Sequence, residues 1–120
     1  MKKKIYKPLS DGTLVVRNVN HLMQLVAEKK PFYLSQNSPK GNVIKPIDWD
    51  GKELTDDAYK LIKEKIGCRY LAFVDFEIGD CKGTIICDEE GLCKKLEIND
   101  SASYLAKEML VGDVIVGFPD

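Results

Sequence analysis

The sequence predicts an α+β fold, a mainly antiparallel sheet of five or six strands with two or three helices packed on one face. Three observations carry that expectation. Between residues 70 and 118, short β-prone apolar runs are separated by Gly- and Asp-rich turn signals. Two stripes recur at helical spacing, Val19, Leu22, Met23 and Val26, then Ala58, Leu61, Ile62 and Ile66. With 120 residues, 44% hydrophobic and 31% charged, the chain suits a single domain, 1–120, that can bury one core without disulfide staples.

Each element follows from local chemistry. Ile5-Tyr6-Lys7-Pro8-Leu9 and Thr13-Leu14-Val15-Val16-Arg17 flank the turn signal Ser10-Asp11-Gly12, as in a hairpin whose proline confines the first strand to an edge. Asn18 or Asn20 caps the first helix, near 19–30, which Lys29-Lys30-Pro31 stops. Phe32-Tyr33-Leu34 is a short strand. Residues 36–54 form a long irregular segment, with Val43-Ile44 pairing briefly; in a compact domain such a segment signals function or disorder. Thr55 caps a helix over 55–66, with Asp56 and Asp57 on its positive end and Gly67 as its left-handed stop. Tyr70 opens a central strand that Gly79-Asp80 turns into Gly83-Thr84-Ile85-Ile86-Cys87. Asp88-Glu89-Glu90-Gly91 then predicts a bulged hairpin loop into a partner strand over 92–98, placing Cys87 opposite Cys93 and a meander at the sheet centre. Asp100 or Ser101 caps a third helix, 101–110, with Ala102, Leu105, Ala106 and Met109 inward and Gly112 ending it. Residues 113–118 are a closing strand.

Composition narrows the function. No apolar run is long enough to span a membrane, and Ile5 to Leu9 cannot serve as a secretory core, so the cytoplasm is expected, with reduced thiols. Residues 1–46 hold nine Lys/Arg against two acids, and 47–120 hold nine against seventeen. That asymmetry suits either a polyanion face or neighbouring strands of opposite sign, and a pI near 5.9 argues against nucleic acid.

No motif completes a catalytic set. The four cysteines include no Cys-x-x-Cys pair, and His21 is the only histidine, so neither a zinc site nor a cofactor is predicted. His21 falls on a helix flank, as a structural histidine would. Asp48-Trp49-Asp50-Gly51 fails as a calcium loop because Pro46 takes the first ligand position, and an aspartate-glycine turn accounts for it. Trp49, the one tryptophan, closes over the core rim or stacks on a partner. Asn99 either satisfies backbone donors at its corner or reads a ligand. The expected sites are therefore Trp49, Lys4 and Lys7 for a partner protein, and Arg17, Arg69, Phe76 and Asn99 for a small anionic ligand such as a nucleotide signal held between protomers of a homo-oligomer.

The segments Cys87-Asp88-Glu89-Glu90-Gly91, Leu96-Glu97-Ile98-Asn99, Ala102, Leu105-Ala106 and Val111-Gly112-Asp113-Val114-Ile115-Val116-Gly117 resemble the closing half of a family of small proteins of unassigned function carried by bacteria, phages and conjugative elements. The asparagine-led helix from Asn18 to Val26 is similar to that family's opening. Ile98 and Asp100 depart from the pattern. The resemblance implies no reaction; it implies an accessory protein of a mobile element, with a host protein as partner and an anti-defence role as one form of it.

Overall fold

The computed structural model describes residues 14–119. Lys4, Lys7 and the first arm of the expected hairpin lie outside the described residues. In chain order the elements are β1 (Leu14–Val15), α1 (Val19–Ala27), β2 (Phe32–Leu34), β3 (Val43–Pro46), α2 (Asp56–Ile66), β4 (Leu71–Ile78), β5 (Cys81–Asp88), α3 (Asp100–Ala106) and β6 (Val114–Gly117). All six strands join one sheet in the order β1-β3-β2-β6-β5-β4, every pairing antiparallel. The fold is α+β.

Strand alternation divides the core between the two faces of the sheet. Val114 and Val116 of β6, with Leu34, Ile44, Ile85 and Phe76, face Leu22 and Val26 of α1 and Ala102 and Leu105 of α3. Ile115, with Leu71 and Ile86, faces Ile62 of α2 on the other side. Two helices thus share one face, and α2 covers part of the opposite one. Each large aliphatic side chain so buried contributes about 1.5–3 kcal/mol.

The middle of the sheet is not the expected 70–98 meander. It is β6, inserted between β2 and β5, where Val114, Ile115 and Val116 are all fully buried. An unbroken Val-Ile-Val run suits a strand covered on both faces. β4 consequently lies at the sheet edge.

Residues 92–98 form no partner strand. Asp88 Oδ1 accepts from Glu90 N (2.8 Å), Asp88 Oδ2 pairs with Lys94 Nζ (2.6 Å), and Lys94 N donates to Glu90 O, curling the chain into helical turns that Lys95 ends at φ 58°. Cys87 faces Ala72 across the ladder, and Cys93 is exposed. The aspartate won: an Asx turn closed locally before a ladder could start.

The irregular segment is tied down. Asn42 Oδ1 accepts from Ser101 N (3.2 Å) and Ser101 Oγ (2.6 Å), and its Nδ2 donates to Ser35 O and Asn37 Oδ1. Asn37 in turn receives Asp100 N and donates to Asp100 Oδ2. Asparagines therefore replace regular backbone pairing across 35–42. α3 is capped by Asn99, not by Asp100 or Ser101, and stops at Lys107 in the left-handed conformation, so Met109 points to solvent and Leu110 is buried instead.

Candidate functional site

Trp49 is held by its surroundings. Its Nε1 donates to Glu53 O (2.8 Å), and its ring lies over Gly117 of β6, where an added Cβ would stand 2.6 Å from Cη2. Phe118 N donates to Gly51 O (2.7 Å), and Gly51 adopts φ 81°. Asp50 Oδ1 accepts from Lys52 N and Glu53 N, an Asx turn that accounts for both the aspartate and the glycine without a metal. Thr55 Oγ1 then caps α2 through Ala58 N. The loop from β3 to α2 is thereby fixed onto the middle of the sheet, with the indole as its anchor.

Two depressions flank that indole. One, about 180 Å3, is mostly apolar, with Leu54, Phe73, Ile86, Gly117 and Pro119 around Trp49. Phe73 is 50% exposed and Leu54 38%, high values for side chains of their kind, and Lys52 and Thr84 complete the rim of this mostly apolar slot. The other, open and about 640 Å3, carries Asp48, Asp50, Glu53 and Asp57 around Ile47, Ala58 and Leu61, with no Lys or Arg in its lining. The site thus joins an apolar slot to an acidic flank on the part of the sheet face that α2 leaves open.

The other expected residues do not gather. Phe76 is a core side chain, stacked edge-on against Phe118 at 6.3 Å. Asn99 is fully buried: Oδ1 accepts from Ala102 N, while Nδ2 donates to Leu34 O (3.2 Å) and Gly112 O (3.0 Å). It satisfies backbone groups at its corner, as the first of its two readings holds. Arg69 pairs with Glu90 at 3.2 Å and lies over the Tyr70 ring. Arg17 borders a separate depression of about 300 Å3 that Asp100 and Tyr104 share. The start of α3 offers no donors to an anion there, because Asp100, Ser101, Ala102 and Ser103 N–H groups all bond to Asn37, Asn42 or Asn99.

Acid–base and nucleophilic groups are likewise engaged. His21 is buried, and its Nδ1 accepts from Arg17 N (3.1 Å); burial first, then the Arg17 charge, lowers its pKa. Burial, reinforced by Asp88, pushes the Cys87 thiol up to about 11, and burial also raises Cys68. Thiols so shifted stay protonated at neutral pH and are weak nucleophiles. Among the described residues no group of three or more His, Cys, Asp or Glu is placed to hold a metal.

Phe73 and Leu54 are the residues missing from the expected partner site. A signal for Phe73 was present: 72, 74, 76 and 78 are Ala, Val, Phe and Ile, whereas 73, 75 and 77 are Phe, Asp and Glu. That alternation assigns Phe76 to the core and Phe73 to the polar face. No family model, curated protein or solved structure matches this chain.

Proposed function

We propose that this is a non-enzymatic binding protein that captures a partner protein through the groove beside Trp49. The single observation that carries the reading is the exposed Phe73–Leu54 pair in a mostly apolar slot, next to an indole that the loop holds in place. Aromatic anchors in preformed slots are where binding energy concentrates. The acidic flank selects for an apolar side chain surrounded by Lys or Arg. The likeness of residues 85–118 to small proteins of phages and conjugative elements supports a bacterial host protein as that partner. All four cysteines are free thiols, which supports a reducing cytoplasm as the setting. Among the described residues no helix is long and apolar enough to cross a membrane.

The test uses Phe73→Ser, which removes the half-exposed aromatic and leaves both buried clusters in place. The variant should keep a cooperative melt at a modestly lower midpoint, while affinity for a partner identified by crosslinking from position 54 should fall about 30-fold, the equivalent of roughly 2 kcal/mol. Undiminished capture by the folded variant would remove the groove from consideration. No observation favours the nucleotide reading, because Arg17, Arg69, Phe76 and Asn99 occupy four different settings.

A further inference from the structure

We infer that the outer edge of β4 is a strand-addition site for a basic, extended segment of the partner, an inference that rests on the groove reading and specifies how the groove is engaged. Glu89 N donates to Tyr70 O at 3.0 Å across the β4–β5 ladder. In an antiparallel ladder backbone groups point alternately inward and outward. Residues 72, 74, 76 and 78 therefore address β5, and Leu71, Phe73, Asp75 and Glu77 turn their N–H and C=O groups away from it. Among the described residues no strand pairs along that side.

Sheet edges are protected by charged side chains, lysine above all, by proline or by a bulge. Leu71–Ile78 has no lysine, proline or bulge: its eight residues pair one to one with β5 without interruption, and its only charges, Asp75 and Glu77, guard it against acidic strands while leaving it open to a basic one. Both are exposed. The outward-bonding residues are also those whose side chains lie on the groove face, so an added strand would set its own side chains directly against them.

Opposed residues share a face, with Cβ atoms about 5 Å apart. A partner residue opposite Phe73 therefore packs on the outer side of that ring, which forms the β4 wall of the groove, and residues opposite Asp75 and Glu77 meet carboxylates. The edge thus selects Lys or Arg at two successive same-face positions, with an aromatic or aliphatic side chain two residues on. The residues between them lie beside half-buried Ala72, Val74 and Ile78 and should be small and apolar. Lys82 stands opposite Glu77 on β5, so Asp75 supplies the larger share of the attraction. A second copy is the poorer occupant. Two-fold pairing centred on Val74 would set Asp75 opposite Phe73 and Glu77 opposite Leu71 of the other copy, so each carboxylate would gain an apolar neighbour and no cation.

Amide hydrogen exchange tests this on the full chain, read by NMR with a soluble probe peptide, acetyl-Val-Lys-Val-Lys-Val-Phe-Val-amide, and with the same peptide carrying Glu for Lys. The Lys peptide should slow exchange at Leu71, Phe73, Asp75 and Glu77 by about ten-fold or more and leave the inward amides unchanged, while the Glu peptide does nothing. Asp75→Lys with Glu77→Lys, checked for an unchanged melting midpoint, should reverse the preference. Absence of protection, or equal protection by both peptides, overturns the inference. So does protection already present without peptide and lost on dilution, because a second copy would then cover the edge. If Phe73→Ser abolishes partner capture while the edge amides stay unprotected, the edge falls and the groove stands; protected amides with undiminished capture by Phe73→Ser would overturn the groove and, with it, the coupling proposed here.

Discussion

Asn99 joins three parts of the chain with one amide: it caps α3 and donates to the carbonyls of Leu34 and Gly112, all without solvent contact. Alanine there removes a cap and leaves two interior carbonyls without their donors, so Asn99→Ala should cost about 2–4 kcal/mol in urea unfolding. Aspartate keeps the cap acceptor but brings a buried charge and no donors, so Asn99→Asp should be no better; a variant as stable as the parent would refute the structural role. His21 makes a second residue-scale prediction. Because its folded pKa lies below 6.5, the unfolded chain takes up a proton that the folded one refuses as pH falls. Stability should therefore drop as pH falls from about 7 to about 5.5, and His21→Gln should flatten that slope, since no other histidine is present. An unchanged slope in the variant would dissociate the imidazole from the effect.

The elements that were legible are those whose signals are local. Asn18, Thr55 and Gly67 sit at the caps their chemistry announces, and both amphipathic stripes are helices, the second within a residue of expectation and the first ending at Ala27, three residues before the expected 30. What misled was chemistry open to two local solutions. Asp88-Glu89-Glu90-Gly91 can start a hairpin or an Asx turn, and the buried Asp88 carboxylate, which accepts from Glu90 N and pairs with the exposed Lys94, decides for the turn. Likewise the segment 36–54 looked unstructured because asparagine side chains, which periodicity does not count, supply its bonds. Its second half depends on a missing side chain. Gly117→Ala would place a methyl 2.6 Å from Trp49 Cη2 and 3.1 Å from Gly51 O, so the indole must leave β6. Destabilisation of about 1–3 kcal/mol and a red-shifted tryptophan emission are expected, whereas an unaltered spectrum would show that the loop is anchored otherwise.

At the scale of the whole molecule, strand order was the part that no local signal could supply, since pairing partners are set by contacts between distant residues. β6 lies between β2 and β5, so the last strand of the described chain joins two halves that precede it: β1-β3-β2 with α1, and β5-β4 with α2. Ile115 and Val116 each close a different cluster, one on either face. Neither half keeps a complete core without them, and the β4–β5 hairpin alone is the kind of unit that is marginal in water. Removing residues 113–120 should therefore abolish cooperative melting altogether, a far larger loss than trimming a peripheral strand. The intermediate variant Ile115→Asp/Val116→Asp should behave the same way while keeping the chain length, because each carboxylate would be buried without a partner. A sigmoidal melt from either protein would mean that the halves fold independently. The sheet would then be two docked units, with β6 a tether in place of its centre.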